Sequence, residues 1–331
     1  MKKKALIVGI NHYHHPKLDL PGCHKDANNM ANLLSKTYDQ QAQKYIPNFE
    51  CNVLLSEADK NKTQVSRAAL KREIKSLFSS DADTVLFYFS GHGWQTGLGG
   101  YLATQDAKSY DEGVAFNDII ILANQAQDKK VIIILDCCHS GELAKMPLQN
   151  SPISNLREGM SILTASTADQ YSWGDGQGGV FTNLLCNGLK GGSADLLGNI
   201  DLVRLYRHAE RSLDAWSQRP TLKVNQSKPV ILRKVKPQLP QSVLEKLTEY
   251  FPEITTKIQL DPEFEPTAGY GNKKKEDQFA NLQKMANVGL VKPVKQDVMY
   301  RAALREDQCE LTPVGRLYWE VVHMGQHNGQ L

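Results

Sequence analysis

The chain has no C-x-x-C pair. Its six cysteines are scattered at positions 23, 51, 137, 138, 186 and 309. That scatter excludes a disulfide framework or a zinc ribbon and fits a reducing, cytoplasmic compartment. No apolar window approaches the length of a membrane span. Lys2–Lys4 ahead of Ala5–Ile10 imitates the start of a signal peptide, but the apolar run is short and Asn11, His12 and Tyr13 end it. Charge of one sign is scarce too. With 39 basic and 36 acidic residues the net charge is +3, which by itself makes no case for nucleic acid or a membrane surface as partner. Internal repeats and low-complexity segments are missing.

What is present is ordinary in bulk. The 331 residues can bury a large core and a second one, and 41% hydrophobic with 23% charged residues suits a soluble globular protein. The detail is more specific. Val131–Gly141 reads V-I-I-I-L-D-C-C-H-S-G, an apolar, mostly β-branched run that ends in an acid, two cysteines, a histidine, a serine and a glycine. Such a run reads as a strand buried on both faces, as in a parallel sheet. Thr84–Gly93, T-V-L-F-Y-F-S-G-H-G, has the same design. Ligands of open α/β sheets sit at the carboxyl ends of the strands. Two such strands close together bring His92 and one cysteine of the Cys137–Cys138 pair to one rim, a nucleophile and its base.

The rest of the chain supports a layered sheet. Ala5–Ile10, Cys51–Leu55, Met160–Ala165, Thr221–Val224 and Val230–Leu232 read as strands. Asp26–Thr37, Thr63–Leu77 (capped by Thr63), Asn117–Gln127, Val180–Leu189 and Ile200–Ala215 read as helices. Strands alternating with helices predict a parallel α/β fold. Trp94–Glu112 is glycine-rich and polar and is expected to be a surface loop; Glu142–Glu158 is expected to be a mobile linker.

A new composition begins near Val235. K-V-K-P-Q-L-P-Q reads as a linker at 234–241, separating a domain at 1–233 from one at 242–331. Beyond it, Ser242–Phe251 and Glu276–Val288 read as helices. Leu290–Arg305 reads as a β-hairpin or wing, and Thr312–Val322 as a final helix with Pro313 in its first turn. The triplet Lys273–Lys275 reads as a solvated loop.

A thiol near neutral pH is mostly protonated and becomes an efficient nucleophile when a histidine takes its proton. His92 and Cys138 are 46 positions apart, so only the fold can join them. A lone cysteine or histidine at a strand end is more often core; the two together, flanked by glycines, favour a site. Gly93 frees the backbone beside His92, and its N–H and the nucleophile's own are candidates to hold an oxyanion. Adjacent strand residues face opposite ways, so one of Cys137 and Cys138 faces the site, and alternation alone does not say which.

S-G-H-G at 90–93 with D-C-C-H-S-G at 136–141 resembles the caspase-like cysteine peptidases of clan CD, family C14, and within them the metacaspase and prokaryotic orthocaspase branch, whose motif is D-x-C-H-S-G. A-L-I-V-G-I-N at 5–11, L-P-G-C-H-K-D-A at 20–27, Y-L-A-T-Q-D-A at 101–107 and G-V-F-T at 179–182 agree in order, so the likeness covers roughly residues 1–233. It implies the caspase-hemoglobinase fold, with Cys138 as nucleophile and His92 as its partner. It implies that Asp26, Asp136, Ser90 and Cys23 line a pocket for Arg or Lys before the scissile bond. The alternative for Asp26 is a helix N-cap or first-turn acid, and Cys23 reads equally as core. The likeness further implies a regulated effector in bacterial stress, cell death or antiviral defence.

Metacaspases often need calcium. Asp106, Asp111, Glu112 and Asp118 are oxygen ligands without a recognisable loop motif, so no metal and no cofactor are expected. Asp169 and Asp175 flank Trp173 in an expected substrate-side loop. The segment 242–331 resembles winged-helix domains through A-N-V-G-L-V-K-P at 286–293 and L-T-P-V-G-R-L-Y-W at 311–319. From position 237 on, 11 basic and 13 acidic residues give −2, which favours docking a sensor or adaptor protein over reading DNA. The rival readings are a catalytically silent caspase-like scaffold and a DNA-binding regulator acting through this tail.

Overall fold

The structure, a computed structural model, describes residues 1–59, 62–96, 99–107, 113–137, 156–165, 178–213 and 219–327. It divides into two compact units, Met1–Lys236 and Pro237–Leu331.

The first unit opens with β1 (Lys3–Gly9), α1 (Cys23–Leu34), a hairpin of β2 (Lys36–Asp39) and β3 (Lys44–Pro47), and β4 (Phe49–Leu55). Next come α2 (Arg67–Phe78), β5 (Thr84–Gly91), β6 (Gly93–Thr96), β7 (Gly99–Leu102), β8 (Val114–Ala115), α3 (Phe116–Gln125) and β9 (Lys130–Cys137). It closes with β10 (Met160–Thr164), α4 (Val180–Asn187), β11 (Asn199–Asp201), α5 (Leu202–Ser212), β12 (Thr221–Asn225) and β13 (Ile231–Lys234). The central sheet has the order β12-β10-β9-β5-β1-β4. Neighbours are parallel throughout except β12, which runs antiparallel to β10.

The continuous apolar runs are explained by cover on both faces. Val85, Phe87, Phe89, Val131, Ile133 and Leu135 pack against Leu70 and Ile74 of α2 and Ile119 and Ile120 of α3. Leu86, Tyr88, Ile132 and Ile134 face the other way, against Met30 and Leu34 of α1, Phe181 and Leu185 of α4 and Leu205 of α5. Each fully buried Ile or Leu contributes roughly 1.5–3 kcal/mol. At the carboxyl end of β1, a Cβ on Gly9 would lie 2.4 Å from the Cys23 carbonyl oxygen, so glycine lets α1 sit close on the strand. The carboxyl ends of β1, β5 and β9 therefore share one rim, closed over by the start of α1.

Several expected elements differ. The second helix begins at Arg67 with Ser66, not Thr63, as its cap; the Ser66 hydroxyl accepts from Ala69 N at 3.2 Å. Tertiary contacts hold the preceding residues out of the helix. Thr63 Oγ1 pairs with His14 Nε2 at 2.8 Å, and the Val65 carbonyl accepts from Gln105 N at 2.9 Å. The expected loop from Trp94 is instead a small sheet of order β6-β7-β8, with Trp94, Leu102 and Val114 buried in the core. Glycines hide the period-2 signal there, while backbone pairing supplies the strands. The linker expected at Glu142–Glu158 lies mostly outside the described residues. Its end is anchored: Arg157 donates to the carbonyls of Ala123 at 3.2 Å and Lys129 at 2.8 Å. The hairpin β2–β3 was not legible in the sequence.

The second unit comprises α6 (Gln241–Leu244), α7 (Leu247–Tyr250), β14 (Lys257–Gln259), α8 (Lys273–Asn287), β15 (Val291–Pro293), α9 (Met299–Leu304), β16 (Gln308–Leu311) and α10 (Pro313–His327). Its antiparallel sheet has the order β14-β16-β15 over a core that includes Phe251, Leu260, Phe279, Leu282 and Met285. The segment expected as a hairpin or wing contains α9, because Met299, Ala302 and Ala303 are buried at helical spacing. Lys273–Lys275 form the first turn of α8 rather than a loop. Lys275 pairs with Glu263 at 3.0 Å.

Candidate active site

His92 follows the last residue of β5, where the chain turns into β6. Its carbonyl accepts from Ala103 N at 3.0 Å, and its N–H donates to the Tyr13 hydroxyl at 2.9 Å. The two rings lie 5.2 Å apart, tilted. His92 Nε2 stands 2.9 Å from the Leu18 carbonyl oxygen. A carbonyl can only accept, so Nε2 carries the proton and Nδ1 is the basic nitrogen of the neutral ring. Burial pushes the imidazole pKa down, which keeps the ring neutral and ready to take a proton. Gly93 is buried at the start of β6. Cys138, the expected nucleophile, lies outside the described residues. Cys137, the last residue of β9, is 6% exposed and belongs to the core that packs on α2 and α3.

The second part of the rim is acidic. In the β5–β9 register Ser90 is opposite Asp136, and the two share a face. Asp26 reaches the same place from the first turn of α1, so it is both a first-turn acid and a member of this cluster. The Ser90 hydroxyl donates to Asp26 Oδ2 at 3.3 Å, and Cys23 hydrogen-bonds Ser90. Asp26 and Ser90 are each 2% exposed, whereas Asp136 is partly accessible. The four expected pocket residues are thus brought together.

The amino end of α4 closes on this acidic pair. Gly179 N donates to both Asp26 oxygens, at 3.1 and 3.0 Å. Thr182 Oγ1 donates to Asp136 Oδ2 at 2.6 Å, and the Thr182 backbone N–H adds a second bond. A Cβ on Gly179 would stand 2.7 Å from Asp136 Oδ2 and 3.3 Å from Asp26 Oδ2, so only glycine fits between the two acids. Burial, then the neighbouring Asp136 charge, raises Asp26 to about 7. Burial raises Asp136 as well. The Cys23 and Cys186 thiols are each pushed up to about 12, chiefly by burial, which makes them inert core thiols.

Other expected residues lie elsewhere or outside the description. Asp106 caps α2 by accepting from Arg67 N at 3.0 Å, and Asp118 pairs with Lys71 at 2.8 Å. Asp111, Glu112, Asp169, Trp173 and Asp175 lie outside the described residues. Among the described residues no cluster of three or more His, Cys, Asp or Glu is arranged to hold a metal. Sequence reasoning missed Tyr13, the Leu18 carbonyl, Tyr88 and Thr182. G-V-F-T at 179–182 was the one signal available for the last of these.

The caspase-domain model of peptidase family C14 matches residues 2–252. The chain belongs to this caspase-domain family. Among curated proteins, the caspase-domain chain is 28% identical over 205 residues to Metacaspase-1 of Pyricularia oryzae, covering 55% of the chain and 48% of that protein. It is 27% identical over 169 residues to Metacaspase III c of Phaeodactylum tricornutum, covering 47% and 48%. The chain spans about half the length of the curated relatives it matches. A crystal structure of protein GSU0716 from Geobacter sulfurreducens superposes with a TM-score of 0.50 at 17% identity, covering 72% of the caspase-domain chain and 98% of that one. That likeness concerns the fold alone. A mostly parallel sheet flanked by helices is the caspase-hemoglobinase architecture, as the sequence implied. Among the described residues no helix is long and apolar enough to cross a membrane.

Proposed function

We propose that this caspase-domain chain is a cysteine endopeptidase that cuts proteins after Arg or Lys. Cys138 is the nucleophile, His92 takes its proton through Nδ1, and the N–H groups of Gly93 and Cys138 hold the oxyanion. The observation that carries the specificity is the convergence of Asp136, Asp26 and Ser90 beside the end of β9. Burial raises both carboxyls, and the Asp136 charge raises Asp26 further, so the two acids repel each other; the nearby Lys25 does not offset this. A substrate cation relieves that repulsion. Asp136, the accessible acid, meets the cation, and Asp26 adds its charge from beneath. A guanidinium suits a planar carboxylate better than an ammonium, so Arg is preferred to Lys.

The second unit serves in this reading as a winged-helix-like docking domain for a sensor or adaptor. Its strand order supports the topology. Val314, Leu317, Val321 and Met324 are each more than half exposed at 3-4-3 spacing on α10, which supports protein docking over DNA reading. The setting, a regulated effector in bacterial stress, cell death or defence, is carried by the family likeness alone.

The test is a set of fluorogenic peptides that differ only before the cut, with wild type and Asp136→Asn. Arg and Lys peptides should be cleaved and Asp peptides not. Asp136→Asn should lose about 30-fold or more in kcat/KM on Arg peptides. Preference for Asp, or full Arg-directed activity in the variant, overturns the pocket assignment. An inert wild type that does not react at Cys138 with an Arg-containing electrophile points to the scaffold reading.

A further inference from the structure

Beneath the acidic rim lies a chain of hydroxyls that the catalytic reading does not use. Tyr88 sits two residues before Ser90 on β5, hence on the same face, one pleat deeper in the sheet. Its hydroxyl is 2.6 Å from Thr182 Oγ1, which is 2.6 Å from Asp136 Oδ2. Tyr88 and Thr182 are both fully buried. With Asp136 ionised, the direction of the chain follows from counting protons. An ionised carboxylate only accepts, so Thr182 spends its single proton on Asp136 and must accept from Tyr88. Burial and the charges of Asp136 and Asp26 hold the Tyr88 pKa well above its ordinary value, so Tyr88 remains a donor.

We infer that Thr182 and Tyr88 are positioning residues for substrate selection: their hydroxyl chain fixes the orientation of the Asp136 carboxylate and favours its ionised form. The inference rests on the Arg/Lys reading above and adds the residues that make its key acid competent. Without such donors, a carboxylate in this place would take up a proton or turn away from the incoming cation. Asp26 from α1 adds like charge, burial disfavours ionisation, and Cys23 of α1 and Cys186 of α4 stay neutral. The donors come from Thr182, through both its hydroxyl and its N–H, with Tyr88 behind it. Thr182 stands in the first turn of α4, one turn beyond Gly179, so the same helix end that covers Asp26 orients Asp136.

The test uses the full chain and compares Thr182→Val, Thr182→Ser and Tyr88→Phe. Valine keeps the shape and removes the hydroxyl; serine restores the hydroxyl. Thr182→Val should lose about 10- to 100-fold in kcat/KM on Arg and Lys peptides, mainly through KM, as expected for a lost hydrogen bond to a charged group. The acid limb of its pH profile should move to higher pH. Thr182→Ser should return to within a few-fold of wild type. Tyr88→Phe should move the acid limb in the same direction but less, and it carries the test if Thr182→Val does not fold. Alkylation of the reactive thiol by iodoacetamide, which has no side chain for the pocket, should stay near wild type in all three. An unmoved acid limb in both Thr182→Val and Tyr88→Phe overturns the inference. So does serine as damaging as valine, which would mean packing and not the hydroxyl. A wild type without Arg or Lys preference overturns the underlying reading, and this inference with it, and is recognised without any variant.

Discussion

Ser90 on β5 and Asp136 on β9 are register partners in adjacent parallel strands, so their side chains leave the sheet on one face. One step further, Gly91 opposes Cys137, and Cys137 turns into the core on the other face. Cys137 is therefore kept off the side of the acids, which supports the proposal of Cys138 as nucleophile. Cys138→Ala should abolish peptide cleavage, whereas Cys137→Ala should keep most of it and lose only some stability. Progress curves with an Arg peptide for both variants check this. An active Cys138→Ala, or an inactive but folded Cys137→Ala, would reverse the assignment.

Much of this rim was legible before the fold was known. V-I-I-I-L and T-V-L-F-Y-F announce buried parallel strands because β-branched and aromatic residues continue without a polar interruption. The ends of these strands then bring His92 and Cys137 to one edge. What was hidden depends on distant partners. The start of α2 moves to Arg67, capped by Ser66, because His14 and Gln105 hold the residues before it. The burial of Asp26 depends on Gly179, far along the chain, and nothing local to α1 announces it. Tyr88 read as one more apolar strand residue, although its hydroxyl serves Thr182.

Gly179 lies against both acids, and a side chain there has no room. Gly179→Ala forces a Cβ to 2.7 Å from Asp136 Oδ2, an oxygen already held by Thr182, so the carboxylate cannot swing aside without losing that bond. The variant should lose about 1–3 kcal/mol of stability. Its cleavage after Arg should fall more than its alkylation by iodoacetamide. Urea melts and paired kinetics measure both; unchanged Arg cleavage would mean that α4 yields freely at this point.

Among the described residues, both cores of the first unit are assembled from residues no later than Val235, including residues from every strand of the central sheet. The second unit holds its own buried set, with Phe251, Phe279, Leu282 and Met285. A chain ending at Lys236 should therefore fold cooperatively and keep a thiol that an Arg-directed electrophile labels. Circular dichroism and mass spectrometry of the labelled chain test this. A folded truncation with no reactive thiol would show that the site needs the second unit.

Asp26 makes stability fall as pH rises, the reverse of the usual carboxylate. Its folded pKa of about 7 lies above the ordinary 3.8, so the folded chain keeps a proton that the unfolded chain releases. The stability this supports is fully present below about pH 4 and is lost as pH climbs through 7. At about 1.4 kcal/mol per pH unit, over the roughly three units between 3.8 and about 7, the whole loss is on the order of 4–5 kcal/mol, shared with the coupled Asp136. Asp26→Asn removes the titration while its amide oxygen can still accept from Gly179. The variant should match wild type near pH 4 and exceed it progressively up to pH 8, as measured by urea denaturation across that range. An Arg-containing inhibitor, whose cation offsets the acid pair, should narrow the gap at pH 8 by stabilising the wild type more than the variant. Parallel stability curves for the two proteins would mean that Asp26 is ionised in the folded state throughout, and that the acid pair stores no repulsion for a substrate cation to relieve.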